Sequence, residues 1–207
     1  MKVKICGITD IEMALFAIEN GADAIGFVFA ESKRSITPES AGEIISQLPD
    51  GILKVGVFVN ETKEMIEEIV NLAGINTIQL HGDESPEFCS GFSLPVVKAL
   101  SISSTEDLSK INDYSCEYLL LDSPKGKYRG GNGIAFDWSM LADVELNEKK
   151  IILAGGLTIE NVAEGIEKAA PYMVDVSSGV ETDGKKDAAK IKRFIEKAKS
   201  TMKEEVK

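Results

Sequence analysis

Short, almost uninterrupted apolar runs alternate along the chain with segments whose apolar residues recur at helical spacing. The runs are Val3–Cys6, Ala24–Phe29, Leu53–Val59, Thr77–Leu80, Pro95–Leu100, Tyr118–Leu121, Ile151–Leu153 and Tyr172–Val176. They are too short for packed helices and show little polar alternation, the pattern of strands buried on both faces of a parallel sheet. Between them, Ile11, Ala14, Leu15 and Ile18 predict a helix. So do Ala41, Ile44, Ile45 and Leu48, and again Ile66, Ile69, Val70 and Ala73. Val162, Ala163 and Ile166 predict a late helix, and Ala188, Ile191, Phe194, Ile195 and Ala198 a closing one. Local signals bound these segments. Thr9 with Glu12 forms a capping box, Thr37-Pro38 and Ser85-Pro86 open helices, Ser104 pairs with Asp107, and Thr158 stands as an N-cap. Gly21 and Gly74 act as stops. Phe136–Leu141 is a further short helical candidate.

Eight strand-helix units at about 26 residues each lie near the lower size limit of a (β/α)8 barrel. No linker or low-complexity stretch divides the chain, so residues 1–207 are expected to form a single-domain (β/α)8 TIM barrel. An open doubly wound sheet is the alternative. The last two strands favour the barrel, because each ends in a turn of small residues: Gly155-Gly156 after the seventh strand, Ser177-Ser178-Gly179 after the eighth. Glycines let backbone N–H groups approach an anion, and helix N-termini add partial positive charge. Paired turns of this kind after strands seven and eight are a recurrent barrel phosphate site, and closure would bring it beside Cys6 on strand one. Gly155, Gly156, Ser178 and Gly179 are therefore candidate phosphate-binding residues.

Charge narrows the ligand class. The formal net charge of -11 argues against a nucleic-acid or anionic-membrane surface, so an anionic ligand must be held by local donors. No stretch approaches the length of a membrane span, and the Met1–Gly7 start lacks the apolar region of a signal peptide. A cytoplasmic location is expected. Cys6, Cys89 and Cys116 are an odd, widely spaced set that fits reduced thiols, and with one histidine they lack zinc-ligand spacing. No metal site is expected.

Barrel chemistry sits at the C-terminal ends of strands. Cys6 ends the first, and a thiolate there can act as a base if local positive potential lowers its pKa. Asp122 follows Leu119-Leu120-Leu121, where desolvation would favour a protonated carboxyl able to act as an acid. Arg34 can fork onto a substrate carboxylate. His81, after the fourth strand, is a candidate substrate contact. Each also has a structural reading, as buried thiol, turn aspartate, surface pair or packed ring, and position alone leaves these open. The long loop Ser123 to Gly133 has the length and glycines of a lid.

Several runs together carry a resemblance. Lys4-Ile-Cys-Gly-Ile-Thr9, Gly21-Ala-Asp-Ala-Ile-Gly-Phe27, Ser32-Lys-Arg-Ser35, Val55-Gly-Val-Phe-Val59 and Gln79-Leu-His-Gly82 stand in the first half. Leu121-Asp122, Gly130-Gly-Asn-Gly133, Leu153-Ala-Gly-Gly-Leu157 and Val174-Asp-Val-Ser-Ser-Gly-Val-Glu181 follow. In this order, over nearly the whole chain, they resemble the phosphoribosylanthranilate isomerases. The resemblance implies an eight-stranded barrel enzyme of tryptophan biosynthesis, acting on a small phosphorylated substrate without a cofactor, as monomer or homodimer. It implies that Cys6 is the general base, Asp122 the general acid and Arg34 the contact to the anthranilate carboxylate. Asp175, in the last of these motifs, joins Arg34 and His81 as a candidate substrate contact, and the backbone around Gly156, Ser178 and Gly179 matches the phosphate site. Two departures touch loop closure and aryl packing: Asn132 where threonine is common, and Lys33 and Ser35 beside the arginine. A related isomerase of histidine biosynthesis would need a second phosphate cup after strands three and four. Those turns read Val59-Asn60-Glu61 and His81-Gly82-Asp83, acidic and poor in paired glycines. A barrel that only senses a sugar phosphate would bind without turnover.

Overall fold

A computed structural model describes residues 1–123, 136–141 and 149–201. The expected lid therefore lies, from residue 124 onward, outside the described residues. The eight apolar runs form strands β1 (Lys2–Cys6), β2 (Ala24–Val28), β3 (Leu53–Phe58), β4 (Thr77–Leu80), β5 (Val96–Ser101), β6 (Tyr118–Asp122), β7 (Lys150–Leu153) and β8 (Met173–Val176). Each is parallel to the next, and β8 returns to pair with β1 through Lys2↔Met173 and Lys4↔Asp175, closing the barrel. The barrel, not the open sheet, is the architecture.

Seven helices surround it among the described residues: α1 (Ile11–Glu19), α2 (Pro38–Ile45), α3 (Lys63–Ala73), α4 (Pro86–Cys89), α5 (Thr105–Ser109), α6 (Val162–Ala169) and α7 (Ala188–Thr201). None is long and apolar enough to cross a membrane. The expected segment at Phe136–Leu141 contributes a 3-10 turn, Trp138–Leu141. Several caps fall where the sequence put them. Thr37 and Ser85 accept N–H bonds from the first turns of α2 and α4, Ser104 with Asp107 forms a capping box, and Gly74 ends α3 with φ 75°; Thr62, not singled out in the sequence, caps α3 in the same way. Two differ. Asp10, not Thr9, caps α1, its carboxylate accepting from Met13 N at 2.8 Å. Thr158 does not cap α6, which begins one turn later after Asn161. The Asn161 side chain instead braces the preceding loop, accepting from Thr158 N at 2.7 Å and donating to Gly156 O at 2.9 Å. A hairpin also went unforeseen: β9 (Glu181–Thr182) and β10 (Lys185–Lys186) pair antiparallel around Asp183-Gly184, both at positive φ.

Side chains alternate across each strand, so one set fills the barrel and the other packs beneath the helices. Outward residues such as Val3, Ile5, Ile25, Phe27, Ile78, Leu80, Leu119 and Leu121 share one large core with the helix faces. Inside, Ala24, Val55, Val97, Ala99, Leu120, Ile152, Ala154 and Met173 form a separate apolar plug. That plug occupies only part of the interior. On the same inward faces, Lys4, Gln79, Asp122 and Asp175 are buried polar residues. Outside, two α7 lysines make specific contacts: Lys199 reaches Asp23 at 3.0 Å and Lys190 donates to the Glu181 carbonyl.

One buried pair supports the loops beside the site. Lys98 on β5, 1% exposed, bonds Glu84 Oε2 at 2.7 Å and Gly82 O at 2.8 Å. Removing one partner of a buried ion pair strands the other charge. Lys98→Met is expected to lower unfolding free energy by about 3 kcal/mol in urea titrations; a loss under about 1 kcal/mol, typical of an exposed pair, would contradict this account of the loop.

Candidate active site

A cavity of about 770 Å³ opens at the C-terminal ends of the strands. Cys6, Arg34, His81, Asp122, Gly155, Gly156, Asp175 and Ser178 all line it. Gly179 is not among the lining residues but packs against Leu157, which is. The closed topology thus brings together residues far apart in sequence, from Cys6 to Ser178.

Asp122, 4% exposed, ends β6 with its carboxylate bracketed by donors. Oδ1 accepts from Ser123 N at 2.8 Å and faces its hydroxyl at 3.3 Å, while Oδ2 lies 3.2 Å from His81 Nε2. Gly155 makes this approach possible. It has φ +77°, and a Cβ there would lie 2.3 Å from Ser123 N and 2.8 Å from Asp122 Oδ1. The first glycine of the cup therefore seats the aspartate as well as lining the cavity.

Cys6 faces the barrel axis from β1, and its neighbours are cations. Gly26, opposite it in register, leaves room for both the Cys6 sulfur and the end of Lys4: an added Cβ would stand 2.8 Å from Sγ and 3.1 Å from Lys4 Cε. Lys4, 1% exposed, bonds Asp175 Oδ2 and Gln79 Oε1, each at 2.9 Å. The condition set for a thiolate here, positive surroundings that lower the thiol pKa, is only partly present. Burial pushes the Cys6 thiol up, Asp175 adds to that, and attraction to Lys4 and Lys186 offsets it only in part. For Lys4 the balance is reversed: burial disfavours its charge, but Asp175 and Cys6 more than restore it. With the thiol neutral, Asp175 is the partner that keeps Lys4 an ammonium. Asp175 Oδ1 is buried at the cavity without a hydrogen-bond partner, an acceptor left for a ligand hydroxyl.

Arg34 already holds a carboxylate, that of Glu181. Nε and Nη2 bond Oε1 and Oε2 at 2.7 and 2.8 Å, and the pair raises the guanidinium pKa further. Burial would raise the Glu181 pKa, but Arg34 and Lys186 outweigh it and hold the carboxylate below its ordinary range. One edge of the guanidinium is thus used for positioning, leaving the Nη1 edge for a ligand. Its stem lies on Gly7, where a Cβ would come 2.5 Å from Arg34 Cδ.

The two small-residue turns do lie side by side. A Cβ on Gly179 would fall 1.9 Å from the Leu157 carbonyl oxygen, so only glycine lets the loop after β8 close on the loop after β7. Gly156 has φ 65°, and Ser178–Val180 is a 3-10 turn whose first N–H groups lack internal acceptors. Lys186 Nζ fastens the base of the cup by bonding Ser177 O at 3.0 Å. The turns after β3 and β4 are different. Their N–H groups are taken by the protein's own carboxylate, with Asn60 N and Gly82 N donating to Glu84 Oε1 at 2.8 and 3.0 Å. These N–H groups are therefore not open to an anionic ligand.

Sequence reasoning missed Lys4, Gln79, Glu181 and Lys186. Lys4 and Gln79 carried a signal, each lying two residues before a candidate, Cys6 and His81, and so on the same face of its strand. Glu181 and Lys186 depend on the hairpin, marked only by Asp183-Gly184.

This chain is similar to proteins of one named family. A family model described as N-(5'-phosphoribosyl)anthranilate (PRA) isomerase matches residues 3–197. The N-(5'-phosphoribosyl)anthranilate isomerase of Bacillus mycoides is 55% identical over 205 residues, covering 98% of this chain and 100% of that protein. The crystal structure of phosphoribosyl anthranilate isomerase from Thermotoga maritima superposes with a TM-score of 0.90 at 44% identity, covering 97% of this chain and 99% of that one. A phosphoribosyl anthranilate isomerase in complex with reduced 1-(o-carboxyphenylamino)-1-deoxyribulose 5-phosphate superposes at 0.86 with 43% identity and the same coverage.

Proposed function

The chain belongs to the N-(5'-phosphoribosyl)anthranilate isomerase family, and on that premise we propose that Cys6 and Asp122 are its catalytic base and acid. The enzyme catalyses the Amadori rearrangement of N-(5-phosphoribosyl)anthranilate to 1-(2-carboxyphenylamino)-1-deoxyribulose 5-phosphate, a step of L-tryptophan biosynthesis. Asp122 donates its proton to the furanose ring oxygen. The C1'–O bond breaks, and the anilino nitrogen lone pair closes a C1'=N Schiff base. Cys6, as thiolate, removes the C2' proton. The C2'–H electrons form C1'=C2' and the C=N electrons return to nitrogen, giving an enolamine. Proton return to C1' and loss of the C2' hydroxyl proton yield the ketone. Ring opening and enolamine formation each depend on a proton transfer, of the kind that positioned acids and bases accelerate about a hundred- to ten-thousand-fold.

The observation that carries the reading is one cavity with a thiol flanked by a buried lysine on β1, a carboxyl on β6, and a cup of N–H groups between them. Phosphate in the cup, at Gly155, Gly156, Ser178 and Gly179, and the aryl carboxylate at Arg34 would fix the sugar between acid and base. His81 and the open oxygen of Asp175 complete the contacts. All these groups come from one chain, so the reading holds for a monomer or a homodimer. The chain 1–207 is read as one barrel domain, and the three free, buried cysteines suit the reducing cytoplasm.

Steady-state kinetics, followed by loss of anthranilate-type fluorescence, test the orientation. Arg34→Lys keeps the charge but not the fork. Losing a charge-assisted bond of about 1.5 kcal/mol or more raises KM about tenfold or more, with a smaller effect on kcat. An unchanged KM would remove Arg34 from the carboxylate site.

A further inference from the structure

The two halves of the site are joined across the barrel by a chain of hydrogen bonds that runs one way. Lys4 Nζ bonds Gln79 Oε1 at 2.9 Å, Gln79 Nε2 lies 3.0 Å from His81 Nδ1, and His81 Nε2 lies 3.2 Å from Asp122 Oδ2. Elementary chemistry sets the direction. An ammonium has only donors, so the Gln79 oxygen must face Lys4 and its NH2 must face the imidazole. Nδ1 is then an acceptor, and the proton of the neutral ring sits on Nε2, aimed at Asp122. Neither anchor is free to swing: Lys4 and Gln79 are each 1% exposed, and Lys4 is also pinned by Asp175.

The tautomer matters to an acid. With Nε2–H and Ser123 N–H both donating to the carboxyl, the acid's own proton occupies a remaining lone pair, open to the cavity. The opposite tautomer would set a bare Nε2 against Asp122. That nitrogen would take the carboxyl proton, leaving an imidazolium-carboxylate pair with nothing to donate to substrate. We infer that Gln79 is a positioning residue of this isomerase: tethered by Lys4, it holds His81 as a donor to Asp122 and so keeps the acid's proton available to the sugar. The inference rests on Asp122 being the general acid. The charged groups around the ring are Asp122 on β6, Lys4 and Asp175 behind Gln79, the Lys98–Glu84 pair toward β5, Asp83 along the loop and Glu61 across the cavity. Lys4 and Lys98 are each matched by a carboxylate.

His81 is the only histidine, so the nitrogen-15 spectrum of histidine-labelled protein reads this ring without assignment. At mildly alkaline pH the native ring is expected to show Nε2 protonated and Nδ1 bare, displaced as an accepting nitrogen is. Gln79→Glu keeps an acceptor for Lys4 but replaces the NH2 with a second acceptor, which calls a proton onto Nδ1. That variant should show protonated Nδ1 and a kcat lowered about tenfold or more, with KM within about threefold. If Nδ1 stays bare in Gln79→Glu, or gains its proton with kcat unchanged, the inference is overturned. Should Gln79→Glu not fold, Gln79→Met decides: the native Nδ1 displacement must vanish in it, and an identical Nδ1 line in both proteins overturns the inference. Failure of the acid assignment is separate and would appear as an active Asp122→Asn enzyme whose native histidine spectrum is still as described.

Discussion

Asp122→Asn is expected to fold, to bind the reduced product analogue, and to lose at least about a hundredfold in kcat. The substitution keeps the shape of the carboxyl and its place against Gly155, where there is room for no larger change. It removes the one thing the proposed step needs, a proton that can leave to the ring oxygen. Ring opening must precede removal of the C2' proton, so no later step compensates. The loss should appear in kcat and kcat/KM alike, since this interaction acts on the transition state and not on the bound ground state. A loss confined to KM would instead make Asp122 a substrate anchor.

Cys6→Ser should be at least as damaging, with kcat reduced about a hundred- to ten-thousand-fold and the fold intact. A serine hydroxyl fits the space over Gly26 but ionises far too weakly to act as base beside Lys4. The sulfur also has a measurable signature. Burial dominates over Lys4 and Lys186 and holds the free enzyme's thiol above its ordinary range. Thiolate ultraviolet absorbance, taken as native minus Cys6→Ser, should therefore rise only above the usual cysteine midpoint of about 8.5. A transition below that midpoint would show that the cations win over burial.

The barrel was legible because its signal is repetitive. Eight apolar runs of strand length, separated by helical periodicity and caps, leave few topologies, and the paired small-residue turns select the closed one. Cys6 and Asp122 were legible as strand ends. What sequence could not supply was partnership. That Arg34 is held by Glu181 depends on a hairpin between β8 and α7, and that His81 faces Asp122 depends on pairings between strands far apart in the chain. The direction of the Cys6 shift was left open by the sequence for the same reason. The depth of burial, the attraction of Lys4 and the opposing charge of Asp175 appear only once β8 closes on β1. Thr158 failed as a cap because Asn161 offers a side chain that binds both the Thr158 N–H and the Gly156 carbonyl, delaying the helix.

The most direct test of the acid-base account measures turnover of freshly formed phosphoribosylanthranilate and affinity for the reduced product analogue side by side. The proteins compared are native, Cys6→Ser and Asp122→Asn. The account predicts that both variants lose at least about a hundredfold in kcat while analogue affinity stays within about threefold of native. Variants that turn over at near-native rates, or that lose affinity in proportion to rate, would contradict it.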